Sequence, residues 1–388
     1  MNRFGIVFLA LSAVIAVGCS KNVDIEKQPV GEAWIYDESL PVPIQFGVSD
    51  MTVKVRSQFN NLDNLIGESF GVLAMDVQSR NVLLNGETVT CEYDEDRSMY
   101  MMGFDQNKYY PYTSENNYSF FAYYKGDNPN PLYFDSNSVR LKIAGNHWGH
   151  QDVLWARSDA EVLPVHYNST LGEYVPAHDE VSTDAYYHGF NAAYIRYIAK
   201  PKSGDLHKYD DYLPKLDLEH VATNLRFKAV LDPRDATGFD AAPVIKSLSI
   251  SGPDIYEGAD LVLVDMAGGK EGYLDVTGYN TGVLTMSSLN ITPTEAGVQL
   301  GEGFFIQHLA ADSPIQLTVE TDIQTLNFTI DRHVEFKPGF YYTFELKFFK
   351  KTGVELQVSS VAAWEDGWAD SGEQPDAIVV DDNPTLNP

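Results

Sequence analysis

The chain has 388 residues, a formal net charge of −28 and a pI of about 4.5. Nucleic acids and anionic membrane faces repel a chain of this charge, which argues against both as partners. Hydrophobic residues make up 44% of the chain and aromatic residues 12%, enough for one or two cores, and the length favours two domains.

A short apolar run opens the chain. Arg3 precedes it, residues 4–17 are apolar, and small residues lead directly into Cys19. Because the run is shorter than the ~20 residues of a membrane span, it indicates a signal peptide over residues 1–18. Small residues before a Cys are typical of a bacterial lipobox, so we expect export, acylation of Cys19 by the lipoprotein processing machinery, and anchoring in a membrane. The other interpretation is a secretory signal with a coincidental Cys.

A polar segment follows the predicted acylation site. Residues 19–32 are charged and show no apolar period, which predicts a flexible tether. With Cys19 acylated, Cys91 is the remaining cysteine of the sequence, so no intramolecular disulfide is expected. Stability must then come from packing.

Beyond the tether, apolar residues alternate with polar ones, a pattern typical of strands with one face in water. The clearest examples are residues 43–48, 51–55, 139–143, 225–230, 315–319 and 326–330. Residues 342–348 and 354–358 predict a hairpin, because a Lys351-Thr352-Gly353 turn joins them. We therefore expect an all-β fold of antiparallel sheets. The turn-rich residues 232–238 indicate a linker between an N-terminal domain, 33–235, and a C-terminal domain with an acidic tail, 236–388.

One segment matches a hydrolase pattern. Gly67-Glu68-Ser69-Phe70-Gly71 has the G-x-S-x-G form of a nucleophile elbow. That elbow requires a helix after the Ser, whereas residues 72–77 have strand character. No nucleophile is expected at Ser69.

Candidate metal ligands are few. His147 and His150 are three residues apart with Asp152 nearby, but zinc sites need three or four ligands, and no further Cys or His stands at motif spacing. Two acidic clusters depart from the spacing of a calcium loop: residues 94–96, and the group Asp232, Asp235 and Asp240. The sequence predicts no metal, no cofactor and no catalytic residue, and hence a protein that is not an enzyme.

Six segments resemble the successive signature segments of the fimbrillin family. They are Tyr109-Tyr110-Pro111, residues 118–124, residues 151–156, residues 218–227, residues 337–344 and residues 361–367 with Trp364. The resemblance runs in order from Cys19 to Gly367. It implies two tandem transthyretin-like antiparallel β-sandwich domains, and a role as a stalk, tip or anchor subunit of a type V adhesive pilus.

The same resemblance implies a route of assembly. Such a subunit reaches the outer-membrane surface as a lipoprotein, an Arg/Lys-specific protease removes an N-terminal strand, and a strand of another pilin subunit fills the vacated groove. Arg56 lies just after the strand-like residues 43–55, where the family is cut, so it is the predicted processing site and 33–56 the removable segment. The other interpretation of Arg56 is a solvated cation at a strand end.

A second class of function stays open, a surface lipoprotein that binds glycan or host protein and never polymerises. Its stacking residues would be Tyr109, Tyr110, Tyr112, Tyr123, Tyr124 and Trp148. In a β-sandwich such aromatic residues more often lie in the core. Residues 376–380 are apolar, and they are either a donor or terminal strand or a frayed tail.

Overall fold

The computed structural model describes residues 41–48, 62–76, 79–111, 116–124, 126–158, 165–168, 173–176, 189–199, 213–231, 242–330, 335–349 and 353–360. Several predicted features lie outside the described residues, namely the signal peptide and tether with Cys19, the strand at 51–55, Arg56, Tyr112, the linker at 232–238, the acidic group of Asp232, Asp235 and Asp240, the Trp motif at 361–367 and the tail at 376–380. Of the predicted removable segment, the structure describes residues 41–48.

The regular secondary structure of the described part of the chain is nearly all β-strand. Those before residue 232 are β1 (Phe46–Val48), β2 (Ser69–Asp76), β3 (Val82–Asp94), β4 (Met99–Phe104), β5 (Tyr118–Tyr124), β6 (Leu132–Phe134), β7 (Ser138–Ala144), β8 (Leu154–Ser158), β9 (Val165–Asn168), β10 (Glu173–Pro176), β11 (Glu219–His220) and β12 (Thr223–Leu231). One α-helix, α1, lies between them at Ala192–Ala199, and two short 3-10 helices lie at Leu62–Leu65 and Gly145–His147.

Ten further strands follow. They are β13 (Ile245–Tyr256), β14 (Gly258–Asp265), β15 (Tyr273–Asp275), β16 (Thr281–Met286), β17 (Val298–Gln299), β18 (Phe304–Ile306), β19 (Ile315–Thr321), β20 (Thr325–Ile330), β21 (Tyr341–Phe349) and β22 (Gly353–Ser360). Most are short, as expected of a chain broken by Gly, Asn, Asp and Pro turns.

Four larger sheets and one hairpin contain these strands. The first sheet has seven strands in the order β1-β4-β3-β2-β5-β8-β11. Two sheets have four strands each, in the orders β15-β14-β7-β6 and β16-β13-β19-β20. The remaining sheet has five strands: four in the order β17-β12-β21-β22, and β18, which also pairs with β12. The β9–β10 hairpin pairs separately.

The prediction of an all-β fold of antiparallel sheets is confirmed. The predicted hairpin forms, with Leu346 opposite Leu356 in β21 and β22. Among the described strands, one pair is parallel: β12 runs alongside β21, with Phe227 opposite Phe344 and their rings stacked at a centroid distance of 5.3 Å. No helix in the described ranges has the length and apolar character to cross a membrane.

Both faces of the seven-stranded sheet are buried. In β2, Phe70 and Val72 belong to one hydrophobic core, whereas Leu73 and Met75 belong to another. Because successive side chains of a strand point to opposite faces, these cores lie on opposite sides of the sheet. The first core is completed by residues 42–48, and the second continues into the sheets of the C-terminal half.

Two sheets join strands from both sides of the predicted boundary at 235/236. Strand β7 pairs with β14, placing Leu141 opposite Leu261, and β12 pairs with β21. The indole of Trp148 donates a hydrogen bond to the carbonyl oxygen of Tyr256 at 2.7 Å. The boundary itself stays a prediction.

Candidate functional site at the N-terminal strand

Residues 42–48 form an extended segment whose apolar side chains fill the first core. The relative exposures of Val42, Ile44, Phe46 and Val48 are 0%, 2%, 0% and 3%. These residues alternate along Pro41-Val-Pro-Ile-Gln-Phe-Gly-Val, which directs all four to one face of an extended chain. Of the predicted strand at 43–48, residues Phe46–Val48 form β1 and Pro43 makes an isolated bridge to Tyr109, and the apolar side chains of the segment are buried in the core.

One edge of this segment pairs with the seven-stranded sheet. Strand β1 is antiparallel to β4, with Phe46 opposite Met102. Earlier in the segment, the amide N–H of Ile44 donates to the carbonyl oxygen of Lys108 at 2.8 Å, and that of Tyr110 donates to Val42 at 3.0 Å. The pairing therefore extends beyond the three residues of β1 itself.

The other edge pairs with residues 213–216, from a distant part of the chain. The N–H of Gly47 donates to the carbonyl oxygen of Pro214 at 3.1 Å, and the N–H of Leu216 donates to that of Gly47 at 2.9 Å. This contact is parallel, with Gly47 opposite Lys215. The segment thus lies between two backbone edges, both of which lose hydrogen-bond partners if it leaves.

Aromatic packing fixes the middle of the segment. The centroid of the Phe46 ring lies 5.0 Å from that of Phe120 and 5.9 Å from that of Phe104. Phe120 is also 6.0 Å from Tyr110, so the four rings form one cluster. Burial of the four apolar side chains of residues 42–48 contributes roughly 6–12 kcal/mol, before the cost of ordering the segment.

Charge contributes little to this site. At the rim, Lys108 Nζ lies 3.0 Å from a carboxylate oxygen of Glu87, and both side chains are about two-fifths exposed. Lys215 and Asp217 are exposed. Exposed ion pairs stabilise a protein by about 0–1 kcal/mol, so apolar burial and backbone hydrogen bonds hold the segment in place.

The described segment ends at Val48, and Arg56 follows it in sequence. Cys19 precedes the segment. Both remain predictions as lipidation and processing sites, because both lie outside the described residues.

The G-x-S-x-G segment does not form a nucleophile elbow. Ser69 is the first residue of β2, which continues as a strand to Asp76. Gly71 lies in that strand, and a Cβ atom there would come within 2.2 Å of the Tyr123 ring. The glycine thus serves close packing between β2 and β5.

The histidine cluster does not assemble either. His147 ends a short 3-10 turn, His150 is exposed, and the Asp152 carboxylate points elsewhere. Asp152 Oδ2 lies 2.8 Å from Nδ1 of His220, with both side chains at most 1% exposed. No group of three His, Cys, Asp or Glu side chains arranged for a metal ion occurs among the described residues.

Sequence reasoning missed His220 as the partner of Asp152. The two meet because β11 pairs with β8, which places His220 opposite Leu154. A signal was available, since His220 alternates in phase with the apolar Leu218 and hence faces the same buried side. The acidic residues 94–96 form the turn between β3 and β4, where Asp94 pairs with Arg97 at 3.2 Å.

Most of the aromatic residues considered for glycan stacking lie in the cores. Tyr110, Tyr123, Tyr124 and Trp148 are 1–6% exposed, and Tyr109 is half-buried. Their rings are occupied by protein neighbours; that of Tyr124, for example, packs edge-on against Phe70 at 5.6 Å. The core interpretation of these four residues is correct.

Comparison with known proteins gives structural neighbours. No protein-family model matches the chain, and no curated protein matches it. The chain is similar to a candidate cell adhesion protein from Bacteroides uniformis, with 14% identity and a TM-score of 0.44 over 84% of this chain and 98% of that one. The chain is also similar to a fimbrial protein from Bacteroides vulgatus, with 14% identity and a TM-score of 0.41 over 83% of this chain and 99% of that one.

A third neighbour is a fimbrial assembly protein from Parabacteroides distasonis. Its identity is 8% and its TM-score 0.42, over 88% of this chain and 99% of that one. These three neighbours are thus fimbrial proteins and a candidate cell adhesion protein.

Proposed function

We propose that this protein is a structural subunit, whether stalk, tip or anchor, of a type V adhesive pilus, assembled by protease-triggered strand exchange. The observation that carries the proposal is the inserted segment 42–48, which completes a core from the N-terminal side and is bonded along both edges. Such a segment can be replaced by an equivalent strand of another chain without refolding the rest.

The proposed sequence of events begins at the membrane. The precursor is exported, acylated on Cys19 and held on the outer membrane by its acyl chains. An Arg/Lys-specific protease then hydrolyses the peptide bond after Arg56, so that the segment 33–56 is joined to the globule by non-covalent contacts alone. Once the segment leaves, the groove exposes an apolar floor and two unpaired edges.

Refilling of the groove drives the polymer. Four apolar side chains of a donor strand restore the burial lost on cleavage, each contributing about 1.5–3 kcal/mol, and backbone hydrogen bonds are remade along both edges. The donor is part of a folded neighbouring subunit, so the ordering cost is that of one strand. The partners are therefore other pilin subunits, the protease, and the machinery for lipoprotein processing and export.

Cleavage and polymerisation are tested together in cells that carry the pilus-processing protease. Surface-exposed protein is analysed by amino-terminal sequencing and on unboiled gels. The expected result is a new amino terminus at Ser57 and a ladder of bands that collapses on boiling. Arg56→Ala is expected to abolish both, whereas the matched variant Lys54→Ala keeps both. A chain that stays intact with Cys19 acylated contradicts protease-triggered strand exchange and leaves an anchor subunit or a non-polymerising lipoprotein. If the intact chain also runs as one species, the result supports the monomeric surface lipoprotein.

A further inference from the structure

We infer that the groove around residues 42–48 accepts one class of occupant, and that the resident segment is not its best one. The occupant is an extended segment of another polypeptide with aliphatic residues at the places of Val42, Ile44 and Val48 and an aromatic residue at the place of Phe46. An occupant with an apolar residue at the position of Gln45 binds the groove more tightly than the chain's own segment 42–48. The inference rests on the proposed function, because it names the strand that the exchange would admit.

The aromatic position follows from the ring cluster. Phe46 is fully buried, and its ring meets those of Phe120 and Phe104 at 5.0 and 5.9 Å. A smaller side chain leaves a cavity among rigid aromatic walls that cannot collapse around it. The occupant therefore requires a ring at this place, whereas the other three places take branched aliphatic side chains.

The backbone adds a constraint at the next residue. The N–H of Gly47 donates to Pro214, so proline cannot occupy this place. A Cβ atom at Gly47 would come within 2.7 Å of Cε of Met99, which is the movable end of a side chain. Glycine or alanine fits best here, while larger residues must displace Met99. Proline is likewise excluded at the place of Ile44, whose N–H donates to Lys108, and it is accepted at residue 43, where Pro43 already stands.

Gln45 is the weak point of the resident segment. Its Oε1 atom is buried and makes no hydrogen bond to any of the residues that the structure describes. A buried acceptor without a donor loses its hydration without compensation. A residue of similar shape without the amide, such as methionine, removes this penalty, so an occupant that carries it holds the groove more tightly than the segment it displaces.

The apolar residues near the C-terminus do not meet this description. In an extended Asp376-Ala377-Ile378-Val379-Val380 segment, alternate residues share a face. Each face then carries two apolar residues, and the next residue on that face is an aspartate, Asp381 or Asp382. Such a segment fills two of the four places, and it has no aromatic residue. Residues 376–380 of a second copy are therefore excluded as the occupant.

The experiment uses the full chain nicked after Arg56 by an Arg-specific protease. A fluorescent peptide with the sequence of residues 41–48 is added in excess, and its incorporation is followed by anisotropy. The same measurement is made with peptides carrying Phe46→Ala, Gln45→Met or Gly47→Pro, and with a peptide of residues 374–382. We expect about 100-fold weaker incorporation for Phe46→Ala, about tenfold tighter incorporation for Gln45→Met, and none for Gly47→Pro or 374–382.

The outcomes separate this inference from the proposed function. If the native-sequence peptide enters and the variants enter equally well, strand exchange stands and the stated selectivity is wrong. If no peptide enters, the native sequence included, strand exchange itself fails.

A second measurement requires no cleavage: in the intact chain, Gln45→Met should slow hydrogen exchange of the residue 42–48 amides, and Phe46→Ala should accelerate it about 100-fold. Equal amide hydrogen exchange in the native chain, Gln45→Met and Phe46→Ala would contradict the inferred side-chain preferences of the groove.

Discussion

Cys91 lies in the core that residues 42–48 complete, and its thiol is held in the neutral form. Burial, with a smaller contribution from the neighbouring negative charge of Glu92, raises the pKa of the Cys91 thiol to about 12. Because the thiolate is the reactive species, a thiol in this position is chemically inert. The sequence predicted that Cys91 forms no disulfide with an acylated Cys19, and the fold adds that the Cys91 thiol is buried and unreactive.

Alkylation of Cys91 tests this environment. In the native chain at pH 8, we expect iodoacetamide to modify Cys91 about a thousandfold more slowly than an exposed cysteine, since the thiolate fraction falls by that factor. In urea the same residue should react at the ordinary rate. Mass mapping of the peptide that contains Cys91 gives the readout. Rapid modification in the native chain would show that the core is open.

Asp152 shows the limit of local patterns at the scale of single residues. Sequence spacing grouped it with His147 and His150, whereas the structure pairs it with His220. Spacing along the chain reports neighbours only within one element. The pairing of β8 with β11 decides which side chains meet across elements, and an alternating pattern carries no information on pairing partners.

At the scale of elements, the N-terminal strand combines predictable and unpredictable features. Alternation alone predicted a strand at residues 43–48, because four apolar side chains on one face need a core. The second edge formed by residues 213–216 was not predicted. That stretch is irregular, and its contact to Gly47 depends on how the chain returns from β8 to β11.

Gly47 tests whether the backbone contacts hold this strand. Gly47→Pro removes the N–H that donates to Pro214, so we expect the amides of residues 42–48 to exchange at least tenfold faster. Gly47→Ala is the matched control, because it keeps the N–H and meets only the flexible end of Met99. Hydrogen exchange with mass spectrometry distinguishes the two. Equal protection in both variants would mean that apolar burial alone retains the strand.

At the scale of the whole molecule, the two cores share a sheet. Strand β2 supplies side chains to both, and the β7–β14 and β12–β21 pairings cross position 235. Strand β12 is thus bonded to strands of the C-terminal half, although the predicted domain boundary follows it. Hydrogen bonds and burial across the boundary couple the stability of the two halves.

This coupling predicts a cooperative unfolding transition. In urea, tryptophan fluorescence and far-ultraviolet circular dichroism should follow one coincident transition, because neither half keeps its sheets when the other unfolds. Trp148→Phe, which removes the hydrogen bond to Tyr256, should lower the midpoint while keeping a single step. Two separated transitions would instead indicate halves that fold independently.

The sequence by itself determined the class of fold. A period of two and frequent turn residues leave antiparallel sheets as the way to bury one face of each strand. Strand partners were decided by the tertiary structure: β12 beside β21, Asp152 beside His220, and residues 42–48 between two edges. The physical reason is that burial patterns fix which face of a strand turns inward, while pairing depends on contacts between residues far apart in the chain.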